Sequence, residues 1–463
     1  KEQKNKLLAD KFLKTVILKL SVLLCIVVLI FQIMMPFVVY FLAPGFSDDN
    51  IVINNIIMMT RITIFFMPLV SIVALLGVAT NVSGRFWALS FTPIILNSFI
   101  IISCFFIKED LIIKSLPLAI ATVLAGIFQL IFMLIIIQKF KVMDLRFINN
   151  KIDITKDKNE IKIYLKQTWN KFLPAAFGGG VIQVNLLVDT ILASLLGFGS
   201  ISYLYYADRI AQLPLGIIGI ALGSVLLTSL SKSTASKDKK QFSTELIASL
   251  KIGIFFSIPA AVVFINFSEL FIKILFERGE FTTLETMQTS QALIAYSIGI
   301  PAFIILKSCQ PAFFALGDTK TPLYIGFLLL ILNIIFSLLF MYFLRHAGIA
   351  LATSMVSWFG VMIYIGLLVR NGRIAKPKLD DVTKDLNYYS LLKYLGKIII
   401  VSLIMLVIMK LSLDVLLLFI TNKILILFFL VSLGLVTYAL TTYKLGYMPE
   451  QLLNFYISKS KKA

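Results

Sequence analysis

The chain has 463 residues, 59% of them hydrophobic and only 14% charged, with a mean hydropathy of +0.95 and a formal net charge of +19. Soluble domains carry about 25% charged residues, so lipid rather than water must be the solvent for most of this surface. The three cysteines sit in apolar runs without ligand-like spacing, the lone His346 lies in a short turn, and no glycine-rich loop leads into Lys-Ser or Lys-Thr. Disulfides, a zinc site, histidine-based catalysis and ATP hydrolysis on a P-loop are therefore not expected.

Apolar stretches recur along the whole length, each able to cross a hydrocarbon core of about 30 Å as a helix of roughly 20 residues. Helices are the default, because an open strand edge in lipid would leave backbone groups unpaired. The chain is thus expected to be an all-α, polytopic membrane protein with about twelve transmembrane helices. Their cores are expected at 16–43, 59–82, 88–107, 116–138, 172–196, 200–229, 246–275, 286–315, 322–343, 348–369, 394–417 and 420–443.

If residue 1 is cytoplasmic, the inside segments are 1–14, 83–87, 139–171, 230–245, 316–321, 370–397 and the tail from 444. They hold about 31 of the 43 Lys and Arg, an asymmetry that sets the orientation by the positive-inside rule and puts the C-terminus in the cytoplasm. Lys-rich inside loops suit an anionic leaflet, which accounts for most of the net charge. No nucleic-acid partner is expected, since no basic face is interleaved with aromatics on a soluble domain.

Two stretches match at a shift of about 233 residues: Pro68 and Gly84 correspond to Pro301 and Gly317, and Asn97 has its counterpart in Asn333. The matched helices run in the same direction, so the repeats are parallel, as in transporters that rock two halves about a central site. The expected organisation is an N-terminal lobe of four helices (1–138), a cytoplasmic linker (139–171), a lobe of six helices (172–371), and a C-terminal helix pair with its tail (372–463). Shifting residue 172 back places the start of the first repeat before Lys1, so its first two helices are expected to be absent from this sequence.

The block YYADRIAQLPLGIIGIALGSVLLTSLS at 205–231 closely resembles the corresponding helix of the MurJ (MviN) family of bacterial lipid II flippases, within the multidrug/oligosaccharidyl-lipid/polysaccharide exporter superfamily. NLLVDTILAS at 185–194, LFERGEFT at 275–282, PAFFALGDTKTP at 311–322 and HAGIALATS at 346–354 are similar to the same family. The resemblance implies fourteen helices in the family, a bacterial inner-membrane location, and a role in peptidoglycan biosynthesis. It further implies lipid II, an undecaprenyl-pyrophosphate-linked disaccharide peptide, as the substrate moved to the outer leaflet by alternating access. The family's cavity arginines on its first two helices find no position here. Its last helix pair implies a groove for the polyprenyl tail in 394–417 and 420–443.

Arg209 is the leading candidate for substrate binding. It lies about 14 Å into its span, where a guanidinium is costly unless it faces a wet cavity or a partner. An ion pair with Asp208 is poorly placed, because adjacent helical residues do not face each other. A guanidinium can hold pyrophosphate oxygens bidentately, and by resemblance Arg209 matches a cavity arginine. Lys307 matches a cavity lysine of the family, although snorkelling to the interface would also explain it. Gln212, one turn beyond Arg209, is a lesser candidate. Lys19, Lys251 and Arg61 lie near helix ends, where snorkelling is the better account.

Asp189 is a carboxylate inside a span, which calls for a proton, a cation or a hydrogen-bonded packing role. By resemblance, Asp189, Asn333 and Thr353 match three members of a sodium site, while Ser337 stands where that site has a second Asp. Sodium is therefore the candidate coupling ion, with one carboxylate fewer to hold it. The alternative functions are an O-antigen flippase or cation-coupled drug exporter of the same superfamily and, from other classes, a membrane-embedded glycosyltransferase or a scaffold. A drug exporter should favour acidic and aromatic cavity residues over Arg209 and Lys307. A glycosyltransferase should carry catalytic carboxylates on a long loop.

Overall fold

The computed structural model describes residues 2–107, 114–143, 154–374 and 388–449. Parts of the expected linker (144–153), of the segment before the C-terminal pair (375–387) and of the tail (450–463) lie outside the described residues. Described residues are helical apart from turns, and they divide into two compact units, Lys1–Gly180 and Val181–Ala463.

The first unit begins with α1, Glu2–Leu42, whose 41 residues exceed the length of one crossing. The expected span 59–82 is two helices, α2 (Asn50–Thr63) and α3 (Phe66–Val82), parted by a short break at 64–65. Asp49 starts α2 by accepting the N–H groups of Ile51 and Val52 on its carboxylate, which satisfies two of the unpaired donors of a first turn. Then come α4 (Phe86–Cys104), α5 (Leu116–Lys139) and the first part of α6 (Ile154–Ser194). Val73, Leu76, Ala88, Met133 and Ile137 form the core among α3, α4 and α5, and Met35, Val39, Ile53 and Ile57 pack α1 on α2. On α1, Ile33 and Phe37 stay 79% and 75% exposed, as side chains do whose solvent is acyl chain.

α6 starts at Ile154, so 154–171 of the expected linker are helical and run on into the span expected at 172–196 as one helix. Hydropathy marks only the part of a helix that lies in lipid, and this polar extension carries no such mark.

The second unit holds the end of α6, then α7 (Ser200–Pro214), a π-helical turn Leu215–Gly219 and α8 (Ile220–Ala235), where one span had been expected. There follow α9 (Lys239–Phe276), α10 (Thr283–Ala315), α11 (Lys320–Arg370), α12 (Tyr388–Phe419) and α13 (Lys423–Lys444). Nine helices among the described residues are long and apolar enough to span a membrane, α11 being one of them. α11 is itself a hairpin. Arg345 takes φ 51° and ψ −133°, and contacts pair residues on its two sides: Gly348 against Phe340, Thr353 against Asn333, Gly360 against Leu329. The two spans expected at 322–343 and 348–369 are its two arms, and the architecture is consistent with about twelve crossings.

α10 is the hub of this unit, buried along its apolar stretch between α9 and the second arm of α11. A Cβ on Gly299 would stand 2.5 Å from Ser354 Oγ and 2.8 Å from Ser354 Cα, so glycine permits a close crossing there. Three side chains of the second arm stitch it to α10: His346 Nε2 meets Gln288 O at 2.9 Å, Ser354 Oγ donates to Ala295 O at 2.7 Å, and Trp358 Nε1 donates to Ile298 O at 2.9 Å. In a lipid-facing fold such bonds fix the register that apolar contact alone leaves loose.

Helix ends at the matched glycines share one geometry. Gly84 has φ +77°; it donates to Asn81 O and Arg85 donates to Thr80 O, both at 2.9 Å. Gly317 has φ +77° as well, with Gly317 donating to Phe314 O and Asp318 to Phe313 O, both at 3.0 Å. This is the Schellman closure, in which a left-handed residue lets the last carbonyls be satisfied. Lys141, Lys237, Gly372 and Gly446 make the same turn. All six ends open segments that the charge distribution assigns to one side. After Gly317, Asp318 accepts from Thr321 Oγ1 at 2.6 Å and from the N–H groups of Lys320 and Thr321, which holds its carboxyl below the usual carboxylate range.

Candidate functional site

The α11 hairpin brings Asn333 of its first arm beside Thr353 of its second, and the end of α6 brings Asp189 to both. Asn333 Nδ2 donates to Asp189 Oδ1 at 2.9 Å, and Thr353 Oγ1 donates to Asn333 Oδ1 at 3.3 Å and to Ile349 O at 3.2 Å. Asn333 is 2% exposed. Ser337, one turn further along the first arm, is fully buried, and its hydroxyl has no protein partner. The three residues assigned to a cation by resemblance thus converge on one small volume, and Ser337 lies a turn away with an unused oxygen.

That volume offers a carboxylate, an amide and one hydroxyl, with the Ser337 hydroxyl a turn away, and all are hard oxygen ligands suited to a hard cation. No lysine or arginine pairs with Asp189 among the described residues, so its charge is met only by the Asn333 amide and the Thr353 hydroxyl. No group of three or more His, Cys, Asp or Glu occurs among the described residues, which leaves a thiolate or multi-carboxylate metal centre without ligands there.

Arg209 and Gln212 stand on the exposed face of α7. The Arg209 guanidinium lies over the Tyr205 ring, 4.7 Å from its centroid, and makes no salt bridge among the described residues. Asp208 turns instead to Gln212, whose amide donates to the Asp208 carboxylate. Both contacts have the i,i+4 spacing that makes helical side chains neighbours, 205 with 209 and 208 with 212. The guanidinium is therefore held on an aromatic face with its N–H groups unspent on carboxylate, an arrangement open to an oxyanion.

Lys307 is exposed on α10, and its stem lies against the π-helical turn: a Cβ on Gly219 would come 3.5 Å from Lys307 Cγ. The turn follows directly on Pro214, and Gly219 is the position at which α10 approaches it. Arg209 and Gln212 on α7 and Lys307 on α10 thus sit on two helices that pack on one another, joined through the π turn. Sequence reasoning missed Tyr205 and Asp208 as the groups that orient Arg209 and Gln212, though the i,i+4 spacing was there to find them. It also missed Gly219, for which no sequence signal exists.

A third feature is a largely apolar cavity of about 940 Å³ between α9, α12 and α13, walled by Phe256, Val263, Met405, Leu435 and Leu440 among others. It lies on the helix pair beyond the hairpin, where sequence alone shows only lipid-facing Leu and Ile.

The family described as Lipid II flippase MurJ matches residues 1–445. The probable lipid II flippase MurJ of Rickettsia prowazekii (strain Madrid E) is 36% identical over 357 residues, 77% of this chain and 68% of that protein. That of Vibrio cholerae serotype O1 (strain ATCC 39315 / El Tor Inaba N16961) is 34% identical over 311 residues, 67% of this chain and 57% of its own length. Among solved structures, a lipid II flippase MurJ in an inward closed conformation superposes with a TM-score of 0.70 at 28% identity, covering 94% of this chain and 83% of that one. An inward-facing multidrug resistance MATE family transporter has a TM-score of 0.63 at 14% identity, covering 77% of this chain and 81% of that one, a likeness of fold alone.

Proposed function

The chain belongs to the MurJ family of lipid II flippases, and from that premise we propose how its second unit handles lipid II. It is a multi-pass helical membrane transporter, and its substrate class is the lipid-linked peptidoglycan precursor. Arg209 takes the pyrophosphate, Gln212 and Lys307 contact the headgroup beside it, and the polyprenyl tail stays in lipid along the α12–α13 side. The substrate moves from the inner to the outer leaflet by alternating access, in which a ligand shifts the balance of two states only by its differential affinity for them. No covalent step is assigned to the chain. The C-terminus and the six Schellman ends face the cytoplasm, in keeping with the distribution of Lys and Arg.

The observation that carries this reading is the Arg209 guanidinium on the exposed face of α7, within the apolar run 200–229, stacked on Tyr205 and free of any carboxylate salt bridge among the described residues. Such a charge is retained within a bilayer where it meets a wet cavity or an anion. Asp189, Asn333 and Thr353 form a coupling site for a cation, with sodium as the candidate, and Ser337 supplies a further oxygen. Expression in cells depleted of their own flippase tests the function: lipid II should become accessible at the outer face. If lipid II stays confined to the inner leaflet while well-expressed protein is present, the reading fails.

A further inference from the structure

The helix of the first unit that carries Pro68 is broken, and its counterpart in the second unit is not. α2 and α3 lie in one apolar stretch, Asn50–Val82, interrupted at Ile64 and Phe65, whereas α10 runs through the matched Pro301 as one helix. At the interruption the ladder tightens: Phe65 N donates to Ile62 O at 3.3 Å and Met67 N to Ile64 O at 3.1 Å, each three residues back instead of four. A regular α-helix would give the Phe65 N–H to Arg61 O. That carbonyl instead receives the Gln32 amide from α1, at 2.7 Å. Proline alone does not set the difference, since both helices have one at the matched place.

What crosses each helix does set it. Ala119, Ala121 and Thr122 of α5 match Ala350, Ala352 and Thr353 in the second arm of α11 at a shift of 231, so the crossing helices are counterparts too. In the second unit Gly299 lets the arm come close, and Ser354 and Trp358 donate to Ala295 O and Ile298 O, the carbonyls before the crossing. In the first unit Phe66 stands in the place of Gly299, and a Cβ on Gly126 of α5 would come 2.8 Å from its ring. Val123 and Ile127 stand in the places of Ser354 and Trp358, and an aliphatic side chain has no hydrogen to donate. Val123 shares instead a recess of about 440 Å³ with Arg61, Ile62 and Phe65, beside the break.

A tightened turn in the middle of a long helix often marks a hinge. Here two half-helices meet at such a turn, open space lies beside it, and a side-chain amide holds the carbonyl that the break leaves over. We propose that Ile64–Phe65 is a hinge on which α2 swings against α3, with Gln32 pinning the present state, while Ser354 and Trp358 deny α10 the same freedom. Because α2 carries Arg61, the swing also relocates a guanidinium. Its use in transport rests on alternating access, whereas the hinge itself is measurable without lipid II.

The test is the distance between two nitroxide labels, measured by pulsed electron resonance on the full chain in lipid nanodiscs, with Cys25→Ala, Cys104→Ala and Cys309→Ala as background. Labels at Ile51 and Phe105 join the start of α2 to the end of α4, and labels at Leu284 and Tyr342 join the matched places of α10 and α11. All four positions are exposed. The first pair should give a broader or two-peaked distribution, the second a single narrow one. Gln32→Leu should raise the ratio of displaced to present state in the first pair about threefold, the worth of an average hydrogen bond between membrane helices. Ser354→Ala with Trp358→Phe removes both donors to α10 with little change of volume and should broaden the second pair. Equal widths in the parent, a first pair unmoved by Gln32→Leu in monodisperse protein, or a second pair unmoved by loss of both donors would each overturn the proposal. A first pair that responds to Gln32→Leu in a protein that leaves lipid II at the inner leaflet would uphold the hinge and count against the transport reading alone.

Discussion

Asn333 joins Asp189 to Thr353: its amide nitrogen gives a hydrogen bond to the Asp189 carboxylate at 2.9 Å while its amide oxygen receives one from the Thr353 hydroxyl at 3.3 Å. In this state the single carboxylate is satisfied by neutral donors, and a cation would have to draw the Asn333 oxygen and the two hydroxyls towards itself. Transport in reconstituted vesicles should therefore respond to the sodium gradient, and Asp189→Asn should remove that response. Replacing sodium by choline checks it directly. An unchanged rate on that exchange would reduce the cluster to a packing role. Thr353→Val should weaken the response less than Asp189→Asn, since it removes one neutral ligand and leaves the charge.

Gly84 and Gly317 close their helices at the same φ of +77° and with the same pair of carbonyl contacts. No atom lies within 4 Å of a Cβ built at either position, so the penalty of a side chain is conformational and not steric. Gly84→Ala and Gly317→Ala should each destabilise the folded chain by about 1 kcal/mol, the lower end of the cost of a left-handed residue with a Cβ. Lys237→Gly, at a position with φ +58°, should shift stability the other way. Thermal midpoints in one detergent compare the three. Asp318 adds a pH dependence: its folded-state carboxyl is held low, so its contribution is present above the ordinary carboxylate range and lost as pH falls through the depressed value.

Gly299 sits where α10 and the second arm of α11 cross, with Ser354 Cα only 2.8 Å from the place of a Cβ. Backbone cannot rotate away as a side chain can. Gly299→Ala should thus cost 1–3 kcal/mol or so, the usual penalty of overpacking, and Gly299→Val more. A detergent-solubilised Gly299→Ala protein that melts with the parent would show that the two helices part easily.

What could be read in the sequence follows the physics of each signal. Helices in lipid are legible because hydropathy reports them, and the repeat is legible at Gly84 and Gly317 because a left-handed turn favours glycine. Lys141 and Lys237 make the same turn without that mark, so nothing in their identity announces it. That the polar residues 154–171 are helical was not legible, because such a helix leaves no apolar run. The break after Thr63 and the π turn after Pro214 depend on tertiary packing that a span-length window averages away. At the candidate site, Arg209 was visible as a charge in an apolar run, while Tyr205 was passed over because a tyrosine looks ordinary there, and Asp208 was weighed only as a partner of Arg209 and not of Gln212. Asp189 and Asn333 lie 144 residues apart, and only the resemblance joined them before the hydrogen bond did.

Tyr205 should act through Arg209. Its ring lies 4.7 Å from the guanidinium, a contact of about 0.5–1 kcal/mol at an exposed site. Tyr205→Phe keeps the aromatic face and should transport nearly as the parent does. Tyr205→Leu should raise the lipid II concentration needed for half-maximal transport by a few fold with little change in the maximal rate. Identical behaviour of the two variants would detach Tyr205 from the site.

The central claim is that Arg209 binds the pyrophosphate of lipid II. It is tested most directly by lipid II translocation in cells depleted of their own flippase and expressing parent, Arg209→Lys or Arg209→Ala protein, with protein levels checked by blot. Arg209→Ala should abolish outward exposure of lipid II at normal protein levels, and Arg209→Lys should restore it in part, because an ammonium keeps the charge but loses the planar fork. Full translocation by well-expressed Arg209→Ala protein would contradict the account.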